Sequence, residues 1–240
     1  MGAYAGPERN VSLQTTSGRS LYSLGVVQDG LVFNLDASKF YSYPKSGTTW
    51  TDLTNNGRNG TLLYGPTYNS SNGGSLVFDN INDYVQCDGS ITVTEATFII
   101  WFKWSIISPY DGLLISLGAT STGILFTFSG NPGYIWNGAS NTYLWENGLL
   151  PPENTWSMYA LSVTSSAATA YVYDTGGLHT AVNTVSHTST TLDDIKIGFT
   201  EGQSNGLFGG NMAQALIYNR ALTATEIAQN FNATRARFGI

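Results

Sequence analysis

Residues 96–104 read ATFIIWFKW. In an extended chain Phe98, Ile100, Phe102 and Trp104 fall on one face, while Ile99 and Trp101 fall on the other. A strand apolar on both faces is predicted to lie inside a sheet that is covered on both sides. Outward from it, shorter runs of the same character follow one another: GLVFNLD at 30–36, GTLLYG at 60–65, SLVFDN at 75–80, DYVQC at 83–87, GLLISLG at 112–118 and GILFTFS at 123–129. GYIW at 133–136, WSMYALSV at 156–163, ATAYVYD at 168–174, DDIKIGF at 193–199 and MAQALIYN at 212–219 continue the series. Between them lie NGRNG, NSSNGG, SPYDG, TSTG, SGNPG and DTGG, all turn chemistry. Many short strands joined by such turns predict an all-β sandwich or barrel.

One helix is expected, near the C-terminal end. Thr223 and Glu226 form a T-x-x-E capping box, Ile227, Phe231 and Ala233 follow at near-helical spacing, and Gly239 ends the run. Residues 1–28 hold no sustained period of either kind, which predicts an extended N-terminal arm ahead of a domain at 29–240.

Composition agrees with this reading. A chain of 240 residues, 42% hydrophobic, can bury one full core. Charged residues are only 11%, so Ser, Thr and Asn must cover much of the surface. The net charge of −6 argues against a surface that neutralises phosphates, and no nucleic-acid partner is expected. The longest apolar run is broken by Lys103 and is too short to span a bilayer, so no membrane partner is expected. MGAYAGPERN lacks the apolar segment of an export signal. Cys87 has no partner for a disulfide and reads as a small buried hydrophobe.

GLVFNLDAS, SGTTWTDLTNNGRNGTL, GPTYNSSNGGSLVFDNINDYV and ALIYNRALTATEIAQNFNATRARFG together resemble the laminin G-like branch of the concanavalin A-like lectin/glucanase superfamily, over about residues 29–240. The resemblance implies a concanavalin A-like jelly-roll sandwich of two antiparallel sheets, one curved, with a short C-terminal helix. The AGPE-like opening, the arm, and DGLVFNLDA followed by YPKSGTTWTDL are similar in wording to virion proteins of tailed bacteriophages. That similarity implies localisation on the particle surface, multiple copies or a homo-oligomer, and other virion proteins as partners through the arm.

Within 46–62, Trp50 and Leu53 are predicted to point inward, Asp52 and Thr54 to bond backbone amides, and Asn55 to Gly60 to turn the chain through positive φ. GQSNG at 202–206 matches the G-x-S-x-G nucleophile elbow at Ser204, yet loop and strand follow it where a helix is required, and both histidines lie upstream. Glycanases of the resembled superfamily carry carboxylates at alternating positions of one strand. Asp193 and Asp194 are adjacent and so face opposite ways, and Glu95, Glu146 and Glu153 sit in or beside turns. The expectation is a protein that is not an enzyme.

No cofactor is required by these residues. Calcium enters through Asp79 and Asp83 in FDNIND, where two carboxylates share a loop, although an Asx-turn explains them as well. His179 and His187 lack a third zinc ligand and read as surface residues. The candidate glycan-binding residues are Tyr134, Trp136, Asn137, Asn141, Tyr143 and Trp145 in GYIWNGASNTYLWEN. Flat rings with amide neighbours suit sugars, while core packing of Trp136 and Trp145 is the competing reading. The expected function is a non-enzymatic virion surface protein, a capsid decoration or fibre component, with host-surface glycans as a further partner. A free carbohydrate-binding lectin module is the alternative, and a glycanase comes third.

Overall fold

The computed structural model describes residues 25–107, 109–201 and 206–240. Among them, seventeen strands form in the order β1 (Leu31–Asp36), β2 (Thr49–Trp50), β3 (Gly60–Leu63), β4 (Thr67–Asn69), β5 (Ser75–Asp79), β6 (Tyr84–Cys87), β7 (Ile91–Val93), β8 (Ala96–Ile106) and β9 (Gly112–Ser116). The order continues through β10 (Thr122–Phe126), β11 (Pro132–Ile135), β12 (Ser157–Val163), β13 (Ala168–Asp174), β14 (Gly177–Asn183), β15 (Thr190–Leu192), β16 (Ile195–Ile197) and β17 (Gly209–Tyr218). A one-turn helix α1 (Ser140–Tyr143) and the longer α2 (Ala224–Thr234) complete the set.

One large sheet runs β14-β13-β12-β8-β17-β5-β4, with β1 also paired to β17; the other runs β11-β10-β9-β16-β6-β3-β2. All pairings are antiparallel, as the resemblance implied for a jelly-roll sandwich. β7 and β15 form a separate two-stranded ribbon. Strand β8 lies between β12 and β17, the central position its two apolar faces predict. Phe98, Ile100 and Phe102 pack between the sheets, while Ile99 and Trp101 face α2 on the outer side.

β17 serves both layers through a bulge. Met212, Ala215 and Ile217 face the inter-sheet core, whereas Ala213, Leu216 and Tyr218 face the helix. The step from 212 to 215 would break a strict period of two, and the register against β8 shifts between Met212 and Gln214 to absorb it.

Helix α2 starts where its capping box predicts. Thr223 accepts from the Glu226 backbone N–H, and the Glu226 carboxylate accepts from the Thr223 N–H. Its apolar side closes over the outer face of the eight-stranded sheet. Trp101 stacks on Phe238 at 4.1 Å and on Phe231 at 5.8 Å, and its indole N–H donates to Thr234 Oγ1 at 2.8 Å.

Gly25 to Gln28 fall within the stretch expected to be arm, yet Val27 is only 7% exposed in this same cluster. Its backbone N–H donates to Asn230 Oδ1 and its carbonyl accepts from Tyr218 Oη. The packed chain therefore includes residues ahead of position 29, because Val27 offers an apolar side chain to a helix face that still had room for one. Residues 1–24, the bulk of the expected arm, lie outside the described residues.

The corner at 46–62 forms as its residues dictate. Trp50 is fully buried and Leu53 half-buried. Asp52 Oδ1 accepts from the backbone N–H groups of Asn34 and Thr54, each at 3.0 Å. Asn55 and Gly57 adopt φ of 62° and 73°.

Candidate functional site

On the seven-stranded sheet the strand register aligns one residue per strand into a row. Thr61 of β3 pairs with Gln86 of β6, Gln86 with Lys196 of β16, Lys196 with Ile115 of β9, Ile115 with Gly123 of β10, and Gly123 with Ile135 of β11. Their chain neighbours Val85, Cys87, Ile195, Ile197, Leu114, Ile124 and Tyr134 all lie in the core. With a side-chain period of two, the row must therefore face outward.

The row is polar toward β3 and apolar toward β11. At the apolar end it opens into a depression of about 330 Å³, with Ile115, Leu125 and Ile135 as floor, Tyr110 and Tyr143 as walls, and Ser121, Thr200 and Glu201 completing the lining. Within the row, Gly123 lets β10 approach the backbone of β9 closely. A Cβ there would meet the Leu114 carbonyl oxygen at 2.4 Å, and its φ of 149° is one that other residues rarely adopt.

At the polar end Lys196 is held on several sides. Its ammonium lies 3.2 Å from Asp194 and 3.5 Å from Glu201, and it sits over the rings of Phe199 at 5.1 Å and Tyr84 at 5.9 Å. Gln86 Nε2 donates to Asp194 Oδ1 at 2.8 Å. Beyond it the rings continue, Tyr84 against Phe199 at 5.1 Å and Tyr64 against Tyr84 at 5.7 Å.

Two of these aromatics stand on unusual backbone. Tyr110 has φ of 69° and Tyr64 has φ of 65°, a region in which a bulky side chain costs about 1–2 kcal/mol. Tyr64 is also 71% exposed, so burial does not compensate it. Further depressions flank α2, but the Tyr173 and Phe231 rings of one are buried and stacked on each other at 4.1 Å, and the other has no aromatic in its lining.

The residues expected to bind sugar separate into two groups. Tyr134 and Trp136 are core residues, 0% and 2% exposed, and their rings are closed to a ligand. The alternation of β11 turns Tyr134 inward, and Trp136 follows it into the end of the sandwich, where its indole N–H donates to the Thr188 carbonyl at 2.8 Å. Trp145 is half-buried and packs edge-on against Tyr134 at 5.7 Å. Asn137 Nδ2 bonds Thr188, and the exposed Asn141 gives its carbonyl to Asn183. Of the set, Tyr143 alone lines the depression, brought there by α1, a helical turn where the sequence reading placed a plain turn.

Asp79 Oδ1 accepts from the amides of Ile81 and Asn82, and Asp83 Oδ2 from that of Asp79. Burial raises the Asp83 carboxyl pKa, with Asp79 adding to the rise; Asp79 itself is lowered, its amide bonds outweighing the effect of burial. That is the Asx-turn arrangement, and among the described residues no group of three or more His, Cys, Asp or Glu side chains is placed to hold a metal. His187 is buried, against the surface position expected of it, because it bonds Tyr134 inside the sandwich. Ser204 lies outside the described residues.

Tyr110, Tyr64, Lys196 and Gln86 were not singled out from sequence. A signal existed in two of the runs: DYVQC and DDIKIGF alternate apolar residues with Tyr84, Gln86 and Lys196, which marks an outward face.

A two-sheet jelly roll of this kind defines a lectin-like class. The family model Laminin_G_3, described as the concanavalin A-like lectin/glucanases superfamily, matches residues 78–228, and the chain belongs to that family. No curated protein matches the chain. Among solved structures, domain 4 of a GH43 extracellular arabinanase from Geobacillus stearothermophilus, in complex with arabinotriose, aligns with a TM-score of 0.59 at 17% identity, covering 85% of this chain and 98% of that one. A Trypanosoma rangeli sialidase in complex with 2,3-difluorosialic acid aligns at 0.59 and 14% identity over 95% of this chain but only 36% of its own. The binding domain of botulinum neurotoxin serotype D aligns at 0.52 and 11%, over 85% of this chain and 51% of that one.

At these identities the likeness is one of fold. It does correct the expectation of a protein that is not an enzyme, which rested on the missing carboxylate strand. Glycosidase chains share this sandwich with binding domains, since loops and outer faces vary freely over one scaffold.

Proposed function

We propose that the chain is a carbohydrate-binding module that uses the outward face of its seven-stranded sheet. The observation that carries this reading is the depression walled by Tyr110 and Tyr143 over an apolar floor, with polar side chains continuing along the same row. Aromatic walls offer faces to the C–H side of a sugar ring, and Ser121, Thr200 and Glu201 offer hydroxyl partners at the rim. The arabinotriose complex of the arabinanase domain supports the reading by analogy of fold.

The finer reading places this module on the surface of a tailed-phage particle, in several copies, attached through residues ahead of Gly25. Its support is the wording of the N-terminal half and one geometric relation. Val27 enters the domain on the α2 side, and the row of Thr61 to Ile135 lies on the opposite layer, so a chain tethered at that end would present the row away from its anchor.

A glycan array on the parent protein tests the first reading, with Tyr143→Ala and Tyr110→Ala expected to lose binding. A parent that binds no glycan overturns it. Mass spectrometry of purified particles tests the second, and absence of the protein from them removes it.

A further inference from the structure

Resting on the carbohydrate-binding reading, we propose that the ligand is an extended, uncharged glycan chain that crosses the sheet, with Tyr64 as a second stacking position at the far end from Tyr110 and Tyr143.

The depression centres on β10, and Tyr64 follows directly after Leu63, the last residue of β3. In the sheet order β10-β9-β16-β6-β3 these strands are four spacings apart, about 19 Å at roughly 4.8 Å per strand. One sugar ring does not bridge that span; several linked rings do. Between the two ends the row offers Gln86 and Thr61 as hydrogen-bonding groups, and an aromatic ladder of Phe199, Tyr84 and Tyr64 runs beside them.

Tyr64 packs against Tyr84 at 5.7 Å yet remains largely open to solvent. The residue is 71% exposed and its backbone φ of 65° is one that glycine adopts freely, so backbone conformation favours glycine there. Strain held at an exposed aromatic points to a ligand contact.

Charge decides the class of sugar. The cation on the row, Lys196, is already engaged by Asp194 and Glu201, and the chain as a whole carries −6. A uronic or sialic acid would meet these carboxylates with the row's own cation already engaged, whereas a neutral chain needs only stacking and hydroxyl bonds.

The test uses the full chain against neutral arabino-, xylo-, cello- and galacto-oligosaccharides from disaccharide to hexasaccharide, with sialylated and uronic-acid oligosaccharides beside them. Affinity should rise with chain length. Tyr64→Gly should remove that rise, weakening the longest ligands roughly tenfold, about the size of one lost stacking contact. Disaccharide binding should hold, thermal stability should hold or rise as the backbone strain is relieved, and Tyr64→Phe should bind as the parent does. Length-independent binding, or a Tyr64→Gly protein that binds long chains like the parent, overturns the Tyr64 assignment while leaving carbohydrate binding in place. Tighter binding to acidic than to neutral sugars overturns the choice of class. A parent that binds no sugar of either kind removes this proposal together with the reading beneath it.

Discussion

The phenol of Tyr134 lies 3.0 Å from Nε2 of His187, inside the sandwich. The other ring nitrogen, Nδ1, is 2.9 Å from the Thr164 carbonyl, which can only accept. The network therefore assigns the proton to Nδ1 and makes Nε2 the acceptor of the tyrosine O–H. Asn183 Nδ2 donates to the same phenol at 3.1 Å and to the Asn141 carbonyl at 3.0 Å, tying the 137–147 segment to β14. Tyr134 and Trp136, which resembled part of a sugar platform in sequence, are buried struts of that segment.

This network predicts a pH dependence. Burial lowers the His187 pKa below its ordinary value, with its bond to Thr164 pulling the other way, and raises Tyr134 to about 12. A histidine depressed in the folded state is protonated more readily when unfolded. Its contribution is complete above the unfolded pKa of about 6.5 and is lost as pH falls through the lower folded value. Urea midpoints measured between about pH 5 and about pH 8 should decline on the acidic side. The His187→Gln protein should show a shallower decline than the parent over that window.

Trp136 and Tyr143, seven residues apart, should separate on mutation. Trp136→Ala empties a buried site and is expected to cost about 3–5 kcal/mol of folding free energy. Tyr143→Ala should cost less than about 1 kcal/mol and lower glycan binding instead. Thermal melts and binding isotherms on both variants check this, and equal losses of stability would contradict the division drawn between them.

Glu226 is expected to anchor α2 in a pH-dependent way. Its bidentate pairing with Arg220, then its bonds to Thr223, hold the carboxyl down to about 2. The sign follows from a depressed acid: the contribution is full above the ordinary carboxylate range and disappears as pH falls toward about 2. Thr223→Ala, which removes the cap, should cost about 1 kcal/mol at neutral pH in chemical denaturation.

Shortening the chain should reveal where the domain starts. A chain beginning at Gly30 loses Val27, its burial against α2 and its two backbone bonds to Asn230 and Tyr218. Relative to a chain beginning at Gly25, the loss should be about 3 kcal/mol, the sum of a buried valine and two modest hydrogen bonds. Equal melting temperatures for the two would show that the Val27 contact carries no stability.

Sequence alone determined the class of fold, because each of its signals is local. ATFIIWFKW is apolar on both faces, and such a strand has few places other than the centre of a sheet. Thr223 and Glu226 fix a helix start within four residues, and Asn55 and Gly57 mark their corner by the φ they tolerate. The site was only partly legible. Whether an aromatic points in or out depends on strand phase and on what covers it: β11 turned Tyr134 inward, and the end of the sandwich closed over Trp136. The row of Thr61, Gln86, Lys196, Ile115, Gly123 and Ile135 joins residues from six strands spread along the chain, and register between strands is set by long-range pairing that no single stretch encodes. Tertiary structure decided which rings line a surface, since only the pairing of distant strands brings Tyr64, Tyr110 and Tyr143 to one sheet.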